Sequence, residues 1–214
     1  MNKFTRRTVI AAACAAAAMT FAPMSFAQQA PEKKDVTIAV GGKSLYYYLP
    51  LSIAEQLGYF KDEGLNVKIV DFQGGSRSLQ AVVGGSADVV SGAFEHTISM
   101  QAKKQPMTAF VLQGRAPQLA LVVSNKTMKD YKQLSDLKGK KVGVTAPGSS
   151  SQMVANFILK KGGLGPKDVA FIGVGSSSGA VSAIRSGQID ALINLDPVIT
   201  ILLKNGDAKL VADT

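Results

Sequence analysis

The sequence predicts an α/β protein built as two similar lobes, each a mainly parallel sheet flanked by helices. Three observations lead there. Short β-like runs alternate with helix-like ones from residue 35 to residue 213, the pattern of parallel strands covered on both faces by helices. The stretch AVVGGSADVVSGA (81–93) returns as AIRSGQIDALINL (183–195): a helix end, a Gly at its stop and an Asp opening an apolar strand. Gly85 and Asp88 recur as Gly187 and Asp190, in both cases 102 positions later. Third, the loops that follow the strands are repeatedly rich in Gly and Ser.

Residues 1–27 read as a secretory leader rather than as fold. MNKFTRR is a basic start, TVIAAACAAAAMTFA an Ala-rich apolar run, and SFA before Gln28 a small-x-small cleavage site. The apolar run is shorter than the ~20 residues that span a bilayer. TRRTVI is similar to a twin-arginine export motif, so export is expected by the general secretory or the twin-arginine route. A mature tail, 28–34, follows. Lobe 1 is expected over 35–118. DVTIAV (35–40) is its first strand, a helix carries the apolar stripe Leu49, Ile53 and Leu57, and LNVKIVDF (65–72) is the next strand. A helix with Leu79, Val82 and Val83 leads to strands DVVSGA (88–93) and MTAFVLQG (107–114), with a helix near 95–103 between them. Residues 119–139 start apolar and turn polar, and are read as an interlobe connector. Lobe 2 is expected over 140–214. Its strands are KKVGVTA (140–146), DVAFIGVG (168–175) and DALINL (190–195), with helices marked by Met153, Phe157 and Ile158 and by Ala180 to Arg185.

Composition removes several classes of function. The only cysteine, Cys14, lies in the leader, so the mature chain has no disulfide, thiolate metal site or cysteine nucleophile. Loss of Lys3, Arg6 and Arg7 lowers the formal charge from +9 to +6, and no run of more than two adjacent basic residues remains. A nucleic-acid groove is therefore not expected, and a mild preference for small anions is.

In open parallel sheets, ligands sit beyond the carboxyl ends of the strands. The loops there are VGGKS (40–44), QGGSRS (73–78), SGAFE (91–95), APGSSS (146–151), VGSSSG (174–179) and NLDP (194–197). Gly lets a backbone approach a ligand, Ser caps a helix with its hydroxyl, and a helix N-terminus favours an anion. Ordinary turn and cap chemistry explains any one such loop; their coincidence at one edge of both lobes points to a cleft. The candidate ligand-binding residues are Ser44, Tyr46, Gly75, Ser76, Gly92, Phe94, Glu95, Ser149, Ser150, Ser176 and Asp196. Glu95 and Asp196 serve either as helix caps or as acceptors for a ligand amine. Asp88 and Asp190 precede strands at the opposite edge, and are read as structural. Of the tyrosines at 46, 47 and 48, at most two can face the cleft.

Two motifs compete with a binding cleft. GSSSG (175–179) fits a nucleophile elbow with Ser177 at its centre, but the single histidine, His96, precedes it, opposite to the order of that hydrolase fold. GVGSSSG (173–179) is a loosened dinucleotide fingerprint on a later strand, whereas such fingerprints follow the first. A lone histidine beside Glu95 cannot complete a metal site, and adjacency should turn the two side chains to different faces. No catalytic residue, metal or cofactor is expected.

The stretch YYLPLSIAEQLGYFKDEGLNVKIVDFQGGSRSLQAVVGGSADVVSGA, with LKGKKVGVTAPGSSSQ and AIRSGQIDALINLDP, resembles the solute-binding proteins of ABC importers for nitrate, taurine and alkanesulfonates. That group includes relatives carrying a thiamine pyrimidine precursor. The resemblance spans nearly all of 35–213 and implies a two-lobe periplasmic binding protein of type II, monomeric and not an enzyme. Such a protein traps a small organic anion between its lobes and delivers it to a membrane permease. The alternative ligand is the pyrimidine precursor or another amine-bearing heterocycle; a serine hydrolase using Ser177 is the remote one. Members of the family run on and return to the first lobe, so the chain is expected to be C-terminally shortened.

Overall fold

The computed structural model describes residues 31–214, so the leader expected over 1–27 lies outside the described residues. Two sheets form the frame. In the first, β1 (Asp35–Val40) lies between β2 (Asn66–Asp71) and β3 (Val89–Ser91), and all pairing is parallel. The second contains β4 (Ala120–Ser124), β5 (Lys141–Val144), β6 (Ala170–Gly173), β7 (Ala191–Asn194) and β8 (Ala208–Asp213). Its order is β6-β5-β7-β4-β8, with β5 parallel to β6 and β7, and β4 antiparallel to β7 and β8. The second sheet is therefore mixed.

Helices α1 (Leu49–Gln56), α2 (Tyr59–Asp62), α3 (Gly75–Val83) and α4 (Glu95–Ala102) belong to the first lobe. Helices α5 (Ser150–Lys161), α6 (Ser178–Ser186) and α7 (Val198–Lys204) flank the second. Strand periodicity divides the core of the second lobe between two faces. Leu121, Val123, Ala191 and Ile193 point into one cluster, which also takes in Val40, Leu45 and Tyr48 of the first lobe. Ala120, Val122 and Leu192 point into the other, against Ile184 of α6 and Leu202 of α7.

Asp88 and Asp190 do the same structural work. Asp88 Oδ2 accepts the Thr37 N–H at 2.8 Å, and Asp190 Oδ2 accepts the Lys141 N–H at 2.9 Å. Each thus fixes the start of a parallel strand, β1 in the first sheet and β5 in the second, away from the loops at the carboxyl edge.

Three readings of local structure change. The apolar run expected to open a connector forms β4, which is buried throughout and pairs on both sides. The run MTAFVLQG is not a strand: no ladder includes it, and Phe110, Val111 and Leu112 are 73, 72 and 74% exposed. Apolar character alone cannot make a strand without an edge to pair with. Helix α1 forms, but Leu49, Ile53 and Leu57 are exposed, and half-buried Leu51 supplies its contact with the core.

Candidate functional site

The floor of the site begins with two glycines after β1. A Cβ on Gly41 would stand 2.4 Å from the carbonyl carbon of Gly74 and the nitrogen of Gly75, so two loop backbones touch there and exclude any side chain. Gly42 and Lys43 donate their N–H groups to Asp71 Oδ1, both at 2.8 Å, which ties this loop to the end of β2. Leu45 then leads into a 3₁₀ turn, Tyr46–Tyr48. Consecutive residues of such a turn point about 120° apart, so the three rings separate. Tyr48 is buried and its hydroxyl accepts the Gly41 N–H at 3.1 Å; burial raises its phenol pKa. Tyr47 meets it edge to face, with ring centroids 5.1 Å apart. Tyr46 is 61% exposed and lies off the cavity.

The two lobes meet through a capping exchange. Gly74, at the N-cap of α3, has φ 148° and no side chain with which to cap its own helix. Ser149, at the N-cap of α5, makes no cap bond to α5. Its Oγ instead accepts the Ser76 N–H at 3.0 Å and donates to Ser76 Oγ at 3.1 Å. Ser76 Oγ in turn donates to Pro147 O at 2.9 Å. A serine of one lobe thereby supplies the acceptor that the helix of the other requires. A second contact lies beside it. Ser176 is buried where a Cβ on Gly42 would fall 2.3 Å from its Oγ, and Tyr46 donates its N–H to Asp196 O at 3.0 Å. Asp196 Oδ1 accepts the Thr200 N–H at 2.9 Å, so this carboxylate holds the first turn of α7.

Between these contacts lies a cavity of about 360 Å³. The first lobe contributes Gly41, Leu45, Tyr47, Tyr48, Gly75, Phe94, Glu95 and Ile98; the second contributes Thr145, Ser150, Met153, Val154 and Leu195. A third wall is the stretch 114–119, with Arg115 and Leu119. This stretch is anchored by Gln113, whose Oε1 accepts from Ser91 Oγ at 2.7 Å and whose Nε2 donates to Tyr47 O at 2.9 Å. The lining is mostly apolar, and Glu95 and Arg115 are its carboxylate and its guanidinium.

Glu95 and His96 open α4 and carry unusual burial. His96 is 6% exposed, and neither ring nitrogen has a hydrogen-bond partner. Its Cε1 is 3.0 Å from where a Cβ on Gly75 would be, so the glycine gives the ring its closest approach to the α3 backbone. Glu95 Oε1 is also buried without a partner, 3.7 Å from His96 Nε2. Sequence adjacency suggested that these side chains diverge; at the first turn of the helix they instead sit side by side. The carboxylate contributes to raising the pKa of Tyr47, after burial.

Of the residues singled out from sequence, Gly75, Phe94, Glu95 and Ser150 line the cavity. Ser76, Ser149, Ser176 and Asp196 form or border the interlobe contacts instead, and Gly92 backs the His96 ring, with a Cβ position 3.6 Å from Nδ1. Ser44 and Tyr46 are exposed outside the lining, as the path of the 3₁₀ turn directs Tyr47 and Tyr48 inward in their place. Ser177 is also outside the lining. Sequence reasoning left open which of the three tyrosines faces the cleft, and missed Thr145, Met153 and Arg115. Met153 was legible as a helix-face residue; Arg115 was hidden because its neighbourhood reads as the end of a strand.

Comparison with known proteins adds the following. The family model described as NMT1/THI5 like matches residues 46–206. A 4-amino-5-hydroxymethyl-2-methylpyrimidine phosphate synthase of Schizosaccharomyces pombe is 27% identical over 75% of this chain and 45% of its own length. A solved structure from Bordetella bronchiseptica RB50 is 64% identical with a TM-score of 0.83, over 85% of this chain and 57% of that one. The alkanesulfonate-binding protein SsuA from Xanthomonas axonopodis pv. citri, bound to MOPS, is 23% identical with a TM-score of 0.65, over 86% of this chain and 62% of that one. The fold is that of two-lobe periplasmic binding proteins. The chain spans about half the length of the curated relative and less than two thirds of either solved chain. The expectation that the chain is not an enzyme is corrected here, because the curated relative is named as a synthase.

Proposed function

The chain belongs to the NMT1/THI5-like family, and from that membership we propose that it serves as the solute-binding component of an ABC-type importer. It captures a small organic ligand between its lobes and hands it to a membrane permease. The observation that carries this reading is the cavity of about 360 Å³ walled by carboxyl-edge loops of both sheets. Export by the leader puts the protein in the periplasm, and among the described residues no helix is long and apolar enough to cross a membrane.

The ligand in this reading is an organic anion of the alkanesulfonate or taurine kind. Arg115 supplies the cation and Ser150 and Thr145 supply hydroxyls, while the apolar walls with Tyr47 and Tyr48 fit a carbon-bearing ligand better than bare nitrate. Support comes from the alkanesulfonate-binding relative with its bound MOPS. A second reading, an amine-bearing heterocycle such as a pyrimidine, is favoured by the unpartnered oxygen of Glu95 and by the name of the synthase relative. A thermal-shift panel of MOPS, taurine, nitrate and an aminopyrimidine tests capture and ranks the two readings. A ligand present at about 100 times its Kd should stabilise by about 2.7 kcal/mol. Absence of any shift across the panel would sink the reading.

A further inference from the structure

The amine edge of the second sheet, opposite the cavity, carries a basic face built from three separate segments. Lys138, Lys140 and Lys141 lead into β5, Lys160 and Lys161 close α5, and Lys167 precedes β6. Backbone contacts bring these segments together. Gly139 donates its N–H to Asp168 O at 2.7 Å and Ala170 donates to Lys140 O at 2.9 Å. A Cβ on Gly162, which follows α5, would stand 2.4 Å from Leu134 Cβ, at the head of the 3₁₀ turn Leu134–Leu137 that leads into Lys138. Lys140 is half-buried and the others are exposed, and among the described residues none of them makes an ion pair. The carboxylates alongside are turned to the backbone. Asp136 Oδ2 accepts the Gln133 N–H at 3.0 Å, Asp168 Oδ2 that of Gly165 at 2.7 Å, and Asp190 Oδ2 that of Lys141 at 2.9 Å.

One exposed lysine is ordinary solvated surface, and the helix dipole accounts for Lys160 and Lys161 at the end of α5. It does not account for the other four, and like charges gathered on one face create a positive field that an anionic surface can answer. The side chains say which kind. All are lysines, compact hydrated charges on flexible stems that follow mobile headgroups, and no arginine stands among them to fork onto a fixed phosphate or carboxylate. Phe157, one turn before Lys161, is 62% exposed, with the Lys161 ammonium 4.9 Å from its ring centroid. An exposed ring beside a lysine suits the boundary between lipid headgroups and acyl chains. None of these lysines lines the interlobe cavity. We propose that this face adheres reversibly to an anionic phospholipid bilayer. Helix α5 runs 12 residues from cavity-lining Ser150 to Lys161, about 18 Å, so an adhering molecule keeps its cavity clear of the lipid. Adhesion holds the protein beside the membrane whatever the cavity takes.

Co-sedimentation of the whole chain with vesicles tests this, comparing equal parts of phosphatidylglycerol and phosphatidylcholine with phosphatidylcholine alone. The anionic vesicles should bind at least about tenfold more tightly, and the preference should fade as salt rises. The triple variant Lys160→Glu, Lys161→Glu and Lys167→Glu should lose at least about tenfold of that affinity. A control triple variant, Lys34→Glu, Lys68→Glu and Lys103→Glu, makes the same change in net charge at exposed lysines of the first lobe and should lose less than about threefold. Thermal melts confirm that both variants fold. A wild-type chain without preference for anionic vesicles overturns the proposal, independently of either variant. Equal losses in the two variants assign the binding to net charge, and no loss in either assigns it to another segment; both overturn it. So does a duplex-DNA gel shift, abolished by the first variant, that persists at the salt which releases the vesicles. None of these outcomes bears on ligand capture, which the thermal-shift panel tests separately.

Discussion

The two lobes use one turn in two surroundings. In the first, Ser86 and Ala87 donate their N–H groups to Ala81 O, Gly85 sits at φ 75°, and Asp88 exchanges both its backbone and carboxylate bonds with Thr37. In the second, Gln188 and Ile189 donate to Ala183 O, Gly187 sits at φ 82°, and Asp190 does the same with Lys141. The surroundings differ. Around the first turn the buried residues are Ala39, Ala81 and Ala87, with Phe72 and Val82 half-buried. Around the second they include Ile184, Ile189, Leu192 and Leu202, each fully buried. Val82 corresponds to Ile184 in the repeat, and Ala87 to Ile189. The comparison teaches that glycine geometry and one aspartate fix the turn, while the size of the core behind it varies independently.

Substitutions can break that comparison, and the largest effect should come from packing. Ile184→Ala should cost about 2–5 kcal/mol in chemical denaturation, the range for buried aliphatic truncation. Val82→Ala, at the matching but half-buried position, should cost clearly less; equal losses would mean that the two cores are equivalent. Next come the turn glycines. Alanine at either position meets the strain of a left-handed backbone, about 1–3 kcal/mol. A Cβ on Gly85 meets nothing within 4 Å, but one on Gly187 lies 3.1 Å from Thr127 Cγ2. Gly187→Ala should therefore be the more destabilising in thermal melts, and the reverse order would contradict the geometry.

The interlobe capping exchange should give a smaller effect. Ser76→Ala and Ser149→Ala should each cost about 0.5–1.5 kcal/mol, as for a typical hydrogen bond. Their double variant should lose less than the two losses together, because the groups share one network. Strict additivity in a double-mutant cycle would show that the exchange does not form in solution. The smallest effect should be in acid. The Lys33 ammonium and then the Thr37 N–H lower the Asp88 pKa below the ordinary carboxylate value. With the folded pKa depressed, the stabilisation is present above the unfolded value of about 3.9 and is lost as pH falls through the folded one. Asp88→Asn should flatten the acid limb of a stability-versus-pH curve; an unchanged limb would remove this pair from the account.

How much of this was legible in the sequence depends on how local the cause is. The repeat exposed both turns, because Gly85 and Gly187 need positive φ and their aspartates cap a neighbouring strand start. Strands β1, β5 and β7 were legible from runs of apolar residues. Residues 120–124 and 107–114 were not, since both are apolar runs and only the partner edge decides which becomes a strand. At the site, Glu95 and Ser150 follow from their place at the carboxyl edge. The trade between Ser149 and Ser76 does not, because N-cap serine ordinarily serves its own helix. The orphaned atoms of His96 depend on three-dimensional burial, which no local pattern encodes.

The anchoring of the third wall by Gln113 has a consequence for the timing of exchange. Residues 107–118 join no ladder, and this one side-chain amide holds their far end to Ser91 and Tyr47 through two neutral hydrogen bonds. Such bonds contribute about 0.5–1.5 kcal/mol each, so releasing both costs about 1–3 kcal/mol. A state lying that far above the ground state is occupied roughly 1–15% of the time. On the capture reading proposed above, the wall bearing Arg115 would then swing aside while both sheets stay paired, and a bound molecule would have a route out whose speed depends on the two Gln113 bonds.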